Sequence, residues 1–257
     1  MPLLIAVPLG LFVGAILGLV GAGGSIIAVP ALVYGTGLSA REAIPASLII
    51  VGLSSVVAVL PRLRRGVDWT AAVTVGAAGI PAAWLGATVG RLLDADALLL
   101  AFAVLMVAAG VRMLVAGRRP VVPRTPARLA IRIVTGIAVG LGVGFLTGML
   151  GIGGGFIIIP ALTLLLGLGM ATAVGTSLVI IVVNALAGLS AHAGSLSGSE
   201  NWPVVAVFAA AAIAASFVAA RFAARLPDQL VKTVFAVLVL LVAAFTGVSS
   251  ASALLAG

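Results

Sequence analysis

The chain contains no cysteine and a single histidine, His192. Without cysteine there is no disulfide framework, no iron–sulfur cluster and no thiol nucleophile. One histidine excludes a multi-histidine metal site. No metal, no cofactor and no catalytic set is therefore expected. Charge is scarce too: 8% of the 257 residues are Asp, Glu, Lys or Arg. The six acids, Glu42, Asp68, Asp94, Asp96, Glu200 and Asp228, all fall in predicted loops or at segment ends. Intramembrane carboxylates are the usual mark of proton relays and cation sites. Their absence argues against a cation carrier and against an aspartyl intramembrane protease. It permits an anion carrier, because no fixed negative charge repels the substrate.

What is present is apolar. Hydrophobic residues make up 63% of the chain, and the mean hydropathy is +1.38. A soluble domain of this length could not hide so much apolar surface. Repeated runs of roughly 18–22 residues match the helix length that crosses about 30 Å of hydrocarbon. The runs are continuous Ala, Leu, Val and Ile, not the alternating strands of a barrel. An all-α integral membrane protein is expected. The net charge of +8 then reflects loop arginines under the positive-inside rule. No aromatic-interleaved basic patch points to nucleic acid. Residues 1–20 lack a positive n-region and read as a retained first segment.

Ten apolar segments are predicted, at about 3–20, 25–35, 43–60, 69–90, 97–116, 133–150, 155–167, 172–191, 203–220 and 229–249. The second and seventh are too short to span comfortably. Each follows a glycine cluster and contains a proline, Pro30 or Pro160. They read as half-helices of a broken or re-entrant element.

The chain is also duplicated. G-A-G-G-S-I-I-A-V-P-A-L at 21–32 recurs as G-I-G-G-G-F-I-I-I-P-A-L at 151–162, with seven of twelve positions identical. The same shift of 130 residues aligns Ala46-Ser47-Leu48 with Thr176-Ser177-Leu178. A three-residue insertion then aligns Asp68-Trp69 with Asn201-Trp202. The expected organisation is an N-terminal repeat over 1–116, a Pro/Arg-rich cytoplasmic linker over 117–132 and a C-terminal repeat over 133–257. Arg62, Arg64 and Arg65 share one loop, and five arginines share the linker, so both should be cytoplasmic. Matched loops carry reversed charge: 193–202 holds no Lys or Arg, whereas 221–228 holds Arg221 and Arg225. That predicts repeats of inverted topology with both termini outside. A parallel four-plus-four arrangement is the alternative.

An anion in a core without buried cations can be bound by helix N-termini. Their first N–H groups lack partners and carry about half a positive charge. Glycine lets the backbone approach a ligand. Gly21, Gly23, Gly24 and Ser25 stand where the first half-helix begins, and Gly151, Gly153, Gly154 and Gly155 where the second begins. The two ends are expected to face each other at the midplane. Close helix packing is the competing reading of each glycine. Duplication favours the cradle. Ser47, Thr176 and Ser177 on the following helices, with Asn184 two turns on, are candidate hydrogen-bond donors to the same anion. Ser54, Ser55 and Thr147 lie nearby. His192 is a candidate proton shuttle, although a lone histidine at a segment end is more often interfacial. Trp69 and Trp202 begin helices and fit the aromatic belt, while Trp84 reads as packing. An enzyme would need Ser47 or Ser177 as nucleophile, and no His or Lys base stands beside either within a segment.

At these residues the sequence resembles the sulfite exporter TauE/SafE family, also described as the domain-of-unknown-function 81 permeases. The resemblance rests on G-x-G-G-x-x-x-x-x-P-A-L at 21–32 and 151–162, on A-S-L and T-S-L at 46–48 and 176–178, and on duplication along nearly the whole chain. It implies a multi-pass bacterial inner-membrane permease for small anions, often sulfur-containing ones such as sulfite, sulfoacetate or thiosulfate. The partners implied are that anion and the bilayer. An anion channel and a carboxylate transporter are the alternatives. Ser25 stands where the second copy has Gly155, so the two halves of the motif are not equivalent.

Overall fold

The computed structural model describes residues 2–21, 23–64, 66–90, 95–116, 129–150, 155–191, 201–223 and 226–256. These form ten α-helices: α1 (Pro2–Val20), α2 (Gly23–Pro30), α3 (Ala40–Val59), α4 (Trp69–Gly90), α5 (Ala95–Ala116), α6 (Leu129–Leu150), α7 (Gly155–Leu164), α8 (Met170–Ala191), α9 (Trp202–Ala223) and α10 (Asp228–Ala256). No strand occurs among the described residues. Among the described residues, six helices are long and apolar enough to cross a membrane, in α1, α3, α6, α8, α9 and α10. Leu4, Val73, Val104, Leu186 and Leu241 point outward, as expected where lipid is the solvent. Trp84 is 66% exposed. It faces outward from α4 and does not pack inside.

α6 begins at Leu129, four residues before the predicted start, so Arg132 lies within a helix. The reason is tertiary: the Arg132 guanidinium pairs with Asp68 at the start of α4.

α2 and α7 are the short elements. A π-helical turn, Ala31–Gly35, extends α2. The two together cover about 20 Å at 1.5 Å per residue, short of the hydrocarbon thickness. The wide turn follows Pro30, which lacks an N–H. Leu166 likewise donates to the carbonyl of Ala161, just after Pro160, at 3.4 Å. Both elements stop the same way. Gly37 (φ +77°) and Gly167 (φ +70°) turn left-handed. Leu38 N–H then reaches the Leu32 carbonyl at 3.3 Å, and Leu168 N–H the Leu162 carbonyl at 3.1 Å. Each bond reaches six residues back, one more than the six-to-one closure of a Schellman motif, with glycine at the left-handed position as in that motif. Gly37 and Gly167 are 130 residues apart and extend the duplication beyond the motif.

Helix pairing exchanges the halves. α1 packs on α9, α4 on α6, α3 on α8 and α5 on α10. Replacing each helix by its counterpart 130 residues on returns the same set of pairs. Two glycine stripes bring helix backbones together. Gly10, Gly14 and Gly18 of α1 face Phe208, Ala212 and Ser216 of α9 in that order. Gly136, Gly140 and Gly144 of α6 face Thr74, Val75 and Gly79 of α4 in that order. Rising numbers meet rising numbers, so each pair runs in the same direction. Small residues at every fourth position let helix backbones meet, which drives association in lipid.

The central pair, α3 and α8, runs in opposite directions. Gly66, just past α3, abuts Gly175, and Gly52 lies against Ala185. Consequently α1, α3 and α9 finish at one end of the bundle, where α4, α6 and α8 begin. Arg62, Arg64, Arg132 and Arg221 gather at this arginine-rich end. Glu42 and Asn201 meet at the other, 3.3 Å apart.

Candidate functional site

The first glycine motif closes on α8 at the arginine-rich end. Gly21 follows α1 with φ +80° and donates its N–H to the Leu17 carbonyl at 2.8 Å. A Cβ there would stand 3.0 Å from Ser177 Oγ and 3.1 Å from Val174 Cγ1. Glycine is required on both counts, conformation and space. Gly24 serves packing: a Cβ would lie 2.7 Å from that of Leu17. Gly23 opens α2, and Ser25 lies in its first turn.

Ser177 is buried and donates to the Val174 carbonyl at 2.8 Å. Thr176 is buried and accepts the Asp68 N–H at 2.9 Å. Asp68 in turn caps α4: its Oδ1 accepts from Ala71 N–H at 3.0 Å, the N-cap geometry. Its Oδ2 takes Arg132. One aspartate thus ties together the starts of α4, α6 and α8. Thr176 and Ser177 accordingly have structural partners as well as a place beside the motif.

Ser47, the counterpart of Ser177, is buried on α3. Counting from the Gly52–Ala185 contact, Ser47 and Ser177 lie about 20 Å apart along the helix axes, at 1.5 Å per residue. The described residues therefore do not bring these two serines to one point at the midplane. Gly155 opens α7. Gly151, Gly153, Gly154 and His192 lie outside the described residues.

Half-way between the serines is a polar belt. Asn184 is half-buried on α8, and its Oδ1 is 3.9 Å from where a Cβ of Gly79 would stand. Ser54 and Ser55 of α3 are 1% and 0% exposed, and neither hydroxyl has a hydrogen-bond partner among the described residues. The Thr147 hydroxyl of α6 is likewise buried without one. Unsatisfied hydroxyls are costly in a dry interior and call for an explanation. Among the described residues, no group of three or more His, Cys, Asp or Glu could hold a metal ion.

Arg62, grouped in the sequence with Arg64 and Arg65, is buried, 9% exposed, and donates to the Gly18 carbonyl at 3.0 Å and the Ala58 carbonyl at 3.2 Å. The run R-L-R-R does not reveal which arginine turns inward. The glycine stripes are visible in the sequence as a four-residue repeat, at 10, 14 and 18 and at 136, 140 and 144.

Comparison with known proteins agrees with a transport role. The family described as "Sulfite exporter TauE/SafE" matches residues 6–246. A "Probable membrane transporter protein" of Xylella fastidiosa is 31% identical over 257 residues, covering 95% of this chain and 94% of its own. One from Bacillus subtilis is 31% identical over 226 residues, covering 79% and 81%. One from the archaeon Methanocaldococcus jannaschii is 27% identical over 199 residues, covering 75% and 72%. No solved structure matches the chain significantly.

Proposed function

The chain belongs to the sulfite exporter TauE/SafE family, and from that premise we propose that it is an inner-membrane permease exporting small sulfur oxyanions or organosulfonates. Sulfite, thiosulfate and sulfoacetate are the candidate substrates. The observation that carries the reading is the duplicated glycine-broken helix in a core whose carboxylates all lie toward segment ends. Such a core can accept an anion without repelling it.

The repeats are read as inverted. Supporting this, the pairing set is unchanged when the halves are exchanged, and the equivalent helices α3 and α8 run oppositely. A two-fold axis relating antiparallel helices lies across them, in the membrane plane. The arginine-rich end is then cytoplasmic. α2 and α7 enter from opposite sides as re-entrant elements. The substrate has two stations, one per repeat. The cytoplasmic station uses Gly21, Gly23, Gly24 and Ser25 with Thr176 and Ser177. The outer one uses Gly151, Gly153, Gly154 and Gly155 with Ser47. Asn184 serves the passage between them, as expected of an alternating-access carrier. With no mid-membrane acid to carry a proton, export is voltage-assisted, at about 2.3 kcal/mol per charge per 100 mV.

The test is flux from proteoliposomes loaded with sulfite, thiosulfate, sulfoacetate or a carboxylate. Saturable efflux of a sulfur oxyanion, faster under an inside-negative potential at fixed pH, is expected. Non-saturating flux would indicate a channel. Efflux that ignores voltage, follows the pH gradient and is lost in His192→Ala would replace the uncoupled mechanism with a proton shuttle at His192.

A further inference from the structure

Arg62 is buried, and among the described residues it pairs with no carboxylate. Among the described residues its hydrogen bonds go to two carbonyls, those of Ala58 and Gly18. Asp68, the acid nearest in sequence, is taken by Arg132, and Asp228 at the start of α10 is exposed. A guanidinium has five N–H donors. Two of them, on the last turns of α1 and α3, sit where helix dipoles favour a cation. They fix the group in place and leave donors over. Burying a charge without a counter-ion is expensive, so the position needs a reason beyond capping.

A second observation points the same way. Ser55 lies on α3 seven residues before Arg62, which stands in the 3₁₀ turn Leu60–Arg62 that continues the helix. Both are buried, and the spacing is about 10–12 Å along the axis. The Arg62 side chain folds back to Ala58, toward Ser55. The Ser55 hydroxyl is 0% exposed and has no partner among the described residues. A cation with spare donors and an idle hydroxyl are thus both buried near the end of α3, beside the last turn of α1 that leads into the glycine motif. An oxyanion fits both needs: it neutralises the guanidinium and accepts from the hydroxyl.

We propose that Arg62 and Ser55 complete the anion-binding station at the arginine-rich end, beside the glycine motif, with Arg62 as the substrate's counter-charge. The inference rests on the reading of the protein as an oxyanion permease. The station accepts the anion through charge-assisted bonds and passes it to the polar belt at Ser54 and Asn184.

Binding of sulfite and thiosulfate to purified protein in detergent, titrated by calorimetry, tests it. Arg62→Gln should weaken the bound anion by about tenfold or more, a difference of about 1.4 kcal/mol. Arg62→Lys should recover part of that loss. Arg64→Gln, on an exposed side chain of the same loop, should leave affinity within about twofold. Ser55→Ala removes an unsatisfied buried hydroxyl, so it should keep or raise the thermal midpoint of the empty protein while weakening the anion severalfold. That variant keeps the test open should Arg62→Gln fail to fold. In wild type, the anion should slow amide hydrogen exchange over residues 14–21 and 55–64. Wild-type affinity in Ser55→Ala, in a folded Arg62→Gln, or protection confined to other segments, overturns the station. Failure of wild type to bind or transport any oxyanion overturns the permease reading itself, which is a distinct result.

Discussion

At the scale of single residues, Glu42 shows one carboxylate holding two elements together. The Ser39 hydroxyl and N–H donate to its Oε2 at 2.7 and 3.2 Å, and Asn201 Nδ2 donates to its Oε1 at 3.3 Å. The Ser39 hydroxyl, foremost, and the Ser39 N–H hold the Glu42 carboxyl below its ordinary value. An unfolded Glu titrates near pH ~4.3. A lowered folded value means the stabilisation is fully present above that pH and is lost as pH falls through the folded value. The detergent-solubilised protein should therefore lose thermal stability on acidification below about pH 4 more steeply than Glu42→Gln does. Identical pH profiles would exclude the linkage. The effect is small, because the carboxylate reaches solvent. Little of this was legible in the sequence. Ser39 and Glu42 sit at capping distance, but Asn201 is 159 residues away. Arg132 and Asp68 present the same problem across 64 residues, and the burial of Arg62 depends on which face of α3 meets α1.

At the scale of elements, apolar run length places the described helices within a few residues, except that α10 runs on to Ala256, seven residues past its predicted end, because lipid demands continuous hydrophobic stretches and tolerates few substitutes. The short α2 and α7 were legible through their glycines and prolines. How far apart the serines behind them would sit was not, since that follows from the opposed directions of α3 and α8. The glycine stripes give the sharpest element-level test. In α6, Gly144 meets the backbone of Gly79, whereas Gly142, two residues earlier, has nothing within 4 Å of a Cβ. Gly144→Leu should lower stability by about 1–3 kcal/mol or more, the cost of overpacking. Gly142→Leu should be close to neutral. Thermal unfolding in a mild detergent separates them, and equal effects would mean that α4 and α6 are not in this contact.

At the scale of the whole molecule, the inverted reading makes a claim about sidedness. Ser39 and Gly169 are repeat equivalents, 130 residues apart, and both are exposed. A Cβ on Gly169 would meet only Asp228, at 3.9 Å, so a cysteine fits there without strain. In a background with no native cysteine, Ser39→Cys should react with an impermeant maleimide from outside intact cells and Gly169→Cys only after lysis. Labelling of both from one side would establish parallel repeats. The crossed pairing also bears on how the protein is made. The glycine stripe of α1 has its partner in α9, whose first residue is synthesised roughly 180 residues after α1 ends. At about 5–20 residues per second this is roughly 10–40 s. Through that interval α1 rests in the bilayer with its closest-packing face against lipid or a passing helper. The nascent chain is therefore open to membrane proteases until α9 emerges, and a stop codon anywhere before α9 leaves a fragment whose first helix has nothing to dock against.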